Sequence, residues 1–146
     1  MSAMANEYNA INLSQGFPNF PVDGRLLELF KEQINANVHQ YAPMAGLPAL
    51  RQEIAIKIKT HYKREVSDQN ILITAGATQA IFATIQALVH PGEEVIILDP
   101  SYDCYESPVL LSGAKSIRIP LNESFLPDWN RIRSSVTDKT RLIITN

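Results

Sequence analysis

Residues 71–109 run ILITAGATQAIFATIQALVHPGEEVIILDPSYDCYESPV. Ile71 to Thr74 is a short apolar, β-branched run, and Gly76 follows it as a turn residue. Ile81, Ile85, Leu88 and Val89 then recur at helical spacing until Pro91-Gly92 ends the pattern. Val95 to Leu98 is the next apolar run, and Asp99-Pro100 stops it. Neither run alternates polar with apolar residues, which is what burial on both faces of a sheet requires. Strand, glycine turn, helix and strand in this order predict an α/β fold with a mostly parallel sheet covered by helices.

The same grammar continues in both directions. Downstream, Tyr105 to Leu111 predicts a helix ended by Ser112-Gly113, and Ser116 to Ile119 predicts a strand. Asp128 to Val136 follows as a helix after Pro127, and Leu142 to Thr145 as a fourth strand. Upstream, Leu50, Ile54, Ile58 and Tyr62 fall every fourth residue, the spacing of an amphipathic helix. Pro43, Gly46 and Pro48 make His39 to Pro48 a loop. Asp23 caps a further helix that carries Leu26, Leu27, Phe30 and Ile34 on one face. Residues 1–22 hold Gly16, Pro18 and Pro21 with little periodicity and are expected to form an extended arm. The chain thus divides into an arm, 1–22, and the first part of a sheet-bearing domain, 23–146. It stops at Asn146, at the end of a strand with no helix to cover it, and is expected to be truncated there.

Composition narrows the function classes. Thirteen basic and fifteen acidic residues leave a formal charge of -2, and the basic residues are interleaved with acids. There is no electrostatic footprint for nucleic acid or an anionic membrane. Cys104 is the single cysteine, so no intrachain disulfide forms. The first residues lack the apolar core of a signal peptide, and no apolar run approaches bilayer length. A cytoplasmic protein is expected.

Four stretches hold residues that can bind or react. In Thr74-Ala75-Gly76-Ala77-Thr78-Gln79, Gly76 permits a close backbone approach and the next amides are free helix N-terminal donors. With the Thr78 hydroxyl they compose an anion site, although Gly76 as a turn and Thr78 as a cap would explain the same residues. The pattern is neither a dinucleotide fingerprint nor a P-loop. Tyr102 stands just past the strand end at Asp99, on the edge where open α/β sheets bind ligands. Its ring either lies on a flat heteroaromatic ligand or packs on the neighbouring helix. Gly16 and Phe17 sit in the arm sequence INLSQGFPNFP, and Tyr41 in the loop sequence HQYAPMAGLP. His39, His61 and His90 are too scattered to suggest metal ligands.

Taken together, INLSQGFPNFP, HQYAPMAGLPALRQEIA, residues 71–109 and the closing RLIITN resemble class I aminotransferases, in particular the methionine, glutamine and kynurenine group. The resemblance runs from about Ile11 to Asn146. It implies the pyridoxal-phosphate (PLP) fold of type I, and transamination between an L-amino acid and a 2-oxo acid. It implies that Gly76, Ala77 and Thr78 hold the cofactor phosphate and that Tyr102 stacks on its ring. It places Tyr41 on the phosphate of a partner subunit's cofactor, implying a homodimer with shared sites, and Gly16 and Phe17 over the substrate carboxylate. Gln79 falls where many relatives carry glycine. The lysine that holds the cofactor covalently would lie beyond Asn146, so no catalytic residue is assigned and the chain alone is expected to be inactive. Lys31, Lys57, Lys59, Lys63, Lys115 and Lys139 are read as surface charges. The same phosphate and stacking residues serve carbon–sulfur β-lyases, and a non-catalytic PLP-fold fragment is a further alternative.

Overall fold

The structure, a computed structural model, describes residues 2–13, 16, 18–36, 38 and 40–146. It divides into two units, Met1–Ala42 and Pro43–Asn146.

In the first unit, α1 (Ser2–Glu7) replaces part of the expected extended arm. Ala3, Met4, Ala5 and Glu7 are good helix formers, and no glycine or proline interrupts them. The helix stops where Asn9 takes a left-handed conformation (φ 49°) and the Ala10 amide closes on the Ala5 carbonyl at 2.8 Å. Helix α2 (Gly24–Asn35) starts as the sequence indicates, with the Asp23 carboxylate accepting from the Arg25 amide at 2.8 Å.

The second unit begins with a turn at Pro43–Gly46, closed by the Gly46 amide on the Pro43 carbonyl at 2.8 Å. Gly46 has φ +95°, and a Cβ there would fall inside the side chain of Ile73. Helix α3 (Pro48–Tyr62) follows, with Pro48 in its first turn, where a missing N–H costs nothing. A single 3₁₀ turn, Asp68–Asn70, is capped by Ser67. Helix α4 (Ala77–Leu88), strand β1 (Glu94–Asp99), helix α5 (Glu106–Leu111), strand β2 (Lys115–Pro120), helix α6 (Trp129–Ser135) and strand β3 (Thr140–Ile144) complete the chain. Asp128 caps α6, accepting from the amides of Asn130 and Arg131.

The sheet has three parallel strands in the order β2-β1-β3. It is the fold type I arrangement expected, in part. Central β1 is apolar and buried throughout Val95–Leu98, because both of its faces are covered. On one face Val95 and Ile97 pack with Ile85 of α4, Val89 just past its end, Val109 of α5, and Tyr105. On the other, Ile96 and Leu98 pack with Ile119 of β2 and Ile132 of α6. Strand β2 alternates instead: Ile117 and Ile119 join the α6 side, whereas Ser116 and Arg118 lie on the α5 side.

One expected strand is absent. Ile71–Thr74 forms no ladder among the described residues; the Ile73 amide donates to Ala45 of the Pro43–Gly46 turn at 3.1 Å. The run is apolar enough for a strand, but β1 already pairs on both edges and leaves it no partner there. The fourth expected strand is therefore the third, and it begins two residues early, at Thr140.

Candidate functional site

Helix α4 runs back toward the start of β1, so its N-terminus lies at the carboxyl edge of the sheet, where β1 ends at Asp99. Gly76 makes the turn into it with φ 88° and ψ 169°, a conformation open to glycine and strained for any side chain. The Thr74 hydroxyl donates to the Gly76 carbonyl at 3.0 Å, and the Gly76 amide to the Thr74 carbonyl at 2.9 Å. No side chain caps the helix start, and Gly76, Ala77 and Thr78 are exposed. Their amides therefore face outward with the positive end of a 12-residue helix behind them. Gln79 has a defined role: its amide oxygen accepts from the Ala75 N–H at 2.5 Å and steadies the turn. The signal was legible as a glutamine three residues after the capping position.

The loop after β1 carries Tyr102, half exposed, with the Asp99–Pro100 bond cis. Its ring meets that of Tyr105 edge to face, with centroids 5.9 Å apart at 82°. Tyr105 is buried in the α4–α5 core, and its hydroxyl donates to the Asn146 side-chain carbonyl at 3.0 Å. Tyr105 thus supports the Tyr102 ring, which stays half exposed, a role the sequence alone did not assign. A tyrosine three residues on, at the start of a helix, was the available sign. Hydrogen bonding with Cys104 pushes the Tyr102 phenol above its usual value; Thr78 opposes this, and the charges of Cys104 and Asp103 add to it. Tyr102 is therefore neutral near neutral pH. Thr78, in the first turn of α4, and Tyr102, just past the end of β1, lie at the same edge of the sheet. Beside them a cavity of about 330 Å³ is lined by Thr78, Phe82, Asp103, Cys104, Ser107, Pro108 and Leu111.

A charged cluster anchors this loop. Arg118 of β2 donates to both carboxylate oxygens of Asp99, at 2.6 and 2.7 Å, and to Glu106 at 2.7 Å. Ser101 also donates to Asp99, at 3.2 Å, and Ser116 to Glu106, at 2.5 Å. The Arg118 bond holds the Asp99 carboxyl below its usual range, against partial burial. The Ser116 hydroxyl, and then Arg118, do the same for Glu106. Both values are depressed, so the cluster is complete above the ordinary carboxylate range. It comes apart as the pH falls through the lowered values.

The structure therefore brings Gly76, Ala77, Thr78 and Tyr102 together in the second unit. Gly16 and Tyr41 belong to the first unit, and both are exposed, Tyr41 completely. Phe17 lies outside the described residues. All six lysines are exposed, as their reading as surface charges requires. Among the described residues no helix is long and apolar enough to cross a membrane.

Known proteins of similar sequence and fold are aminotransferases. The methionine aminotransferase of Escherichia coli (strain K12) is 44% identical over 148 residues, which is 100% of this chain and 38% of that protein. Kynurenine–oxoglutarate transaminase 1 of Mus musculus is 30% identical over 158 residues, 98% of this chain and 37% of its own length. Among solved structures, an Escherichia coli protein with methionine aminotransferase function superposes at TM-score 0.89 with 42% identity, over 97% of this chain and 38% of that one. Thermus thermophilus aspartate aminotransferase with maleate superposes at 0.93 with 30% identity, over 99% of this chain and 40% of that one. The chain thus spans well under half the length of these relatives. The family model for aminotransferases of class I and II matches residues 8–146, and the chain belongs to that family.

Proposed function

We propose that these residues form the phosphate-anchoring and ring-stacking part of a PLP-dependent aminotransferase. The intact enzyme would move an amino group from an L-amino acid of the methionine, glutamine or aromatic type to a 2-oxo acid. The observation that carries this reading is that an uncapped helix start at Gly76–Thr78 and the half-exposed Tyr102, just past the end of β1, share one sheet edge.

The residues fit the cofactor's chemistry. The glycine turn at Gly76 leaves space for a phosphate: a Cβ built there would meet nothing within 4 Å. The Ala77 and Thr78 amides and the Thr78 hydroxyl donate to its oxygens, and the helix dipole favours the charge. Tyr102 offers a neutral aromatic face to the pyridine ring, held in place by Tyr105. When bound, PLP supplies an electron sink for negative charge at the substrate carbon that loses its proton. This chain's residues bind and orient; Lys115 and Lys139 stand at the strand starts, opposite the edge where β1 ends at Asp99. Tyr41 would reach the phosphate of a partner subunit, and Gly16 and Phe17 would close over the substrate carboxylate.

Two experiments on the intact protein test this reading. Tyr102→Phe keeps the aromatic face and should be nearly silent, whereas Tyr102→Ala should lower both PLP retention and turnover of methionine with a 2-oxo acid. Equal damage from Phe and Ala would remove stacking as the explanation. Release of pyruvate and a thiol from a sulfur-containing amino acid, with no amino transfer, would mark a β-lyase instead. For Tyr41, an inactive Tyr41→Phe subunit mixed with a subunit inactivated at the cofactor lysine should regain activity in hybrid dimers. Verified hybrids without recovery would show that the site is not shared.

A further inference from the structure

One side chain holds both ends of the loop that presents Tyr102. The loop, residues 100–105, leaves β1 at Asp99 and enters α5 at Glu106. Parallel register sets Arg118 of β2 opposite Ile97, two residues before Asp99. From there the guanidinium donates to both oxygens of Asp99 and, through its third nitrogen, to Glu106. Ser116, two residues before Arg118 and on the same face of β2, occupies the other oxygen of Glu106.

As a source of stability this cluster is weak, because Arg118 and its partners are partly exposed and such pairs contribute little in water. Its geometry is specific all the same. A planar fork meeting one carboxylate with two bonds and a second with a third bond sets the separation of the two loop ends. Between those ends the described loop has one backbone bond of its own, from the Tyr105 amide to the Tyr102 carbonyl at 3.2 Å. A loop this sparsely bonded takes its shape from its anchors. We infer that Arg118 is a positioning residue that acts through Asp99 and Glu106 to set the Tyr102 ring for stacking. The inference rests on the proposed function for its consequence in PLP binding, and on the geometry alone for its consequence in the loop.

Two readouts on the intact protein separate these dependences. The first uses hydrogen exchange without added PLP. Arg118→Met should speed exchange at the Tyr105 amide roughly tenfold, a loss of local rather than global protection, with β1 amides unchanged. An unchanged Tyr105 amide would overturn the inference. The second is PLP titration of wild type, Arg118→Met, Tyr102→Ala and the double variant. Arg118→Met should loosen PLP by roughly three- to tenfold, the range for a residue acting through its neighbours. In the Tyr102→Ala background it should add nothing. Arg118→Lys keeps the charge but cannot grip two carboxylates with fixed geometry, and should fall between. Additive effects of the two substitutions would overturn the inference, since Arg118 would then act without Tyr102. If wild type took up no PLP, the proposed function would fall, and hydrogen exchange alone would decide the clamp.

Discussion

Ile97→Ala should destabilise the second unit by about 2–5 kcal/mol, the cost of truncating a large buried aliphatic residue. Ile97 is 0% exposed and sits in the central strand, paired with Arg118 of β2 on one side and Ile144 of β3 on the other. Its side chain packs in the cluster formed by Ile85, Val89, Tyr105 and Val109. With both neighbouring strands hydrogen-bonded to it, the backbone cannot move in to fill the space, so the cavity term adds to the lost burial. Tyr105 shares that cluster, so the variant should also loosen the support of Tyr102. Denaturant unfolding of the intact protein checks this: the midpoint should drop while the slope stays the same. A loss under about 1 kcal/mol would mean that this face of the sheet is not the core the packing describes.

Thr78→Ala should weaken PLP binding by roughly 1.5–3 kcal/mol, through loss of one charge-assisted hydrogen bond to a phosphate oxygen. That is on the order of a ten- to hundredfold rise in the dissociation constant. Folding should be nearly unaffected, because Thr78 is exposed and its side chain does not cap α4. This separates the two roles that the sequence left open for it. A capping threonine would lower the melting temperature when removed, whereas a phosphate donor lowers cofactor affinity alone. Thr78→Ser retains the hydroxyl and should bind PLP nearly as wild type does. An unchanged PLP titration for Thr78→Ala would remove the residue from the site.

Much of the second unit was legible because its determinants are local. The helical spacing of Ile81, Ile85 and Leu88, the Asp128 cap, and the uniformly apolar Val95–Leu98 each depend on residues a few positions apart, as does the Asp23 cap in the first unit. The Gly76-Ala77-Thr78 turn and Tyr102 were legible for the same reason: each follows a recognisable strand-like run or strand end. The arm misled because its glycine and prolines lie after residue 15, and they masked a helix-forming stretch at Ser2–Glu7.

By itself, then, the sequence determined the helices after the arm, the central strand and the family, since periodicity, capping and motif order are written in short stretches. Tertiary structure alone decided which apolar runs became strands. Ile71–Thr74 is as apolar as the middle of β1, yet among the described residues it joins no ladder, and its Ile73 amide donates to Ala45 instead. It also decided what holds Tyr102: Arg118 lies 19 residues from Asp99 and 12 from Glu106, and Tyr105 bonds Asn146 across 41. Those partners meet because the register of a parallel sheet puts them side by side, and register depends on the whole packed unit rather than on any neighbouring residues.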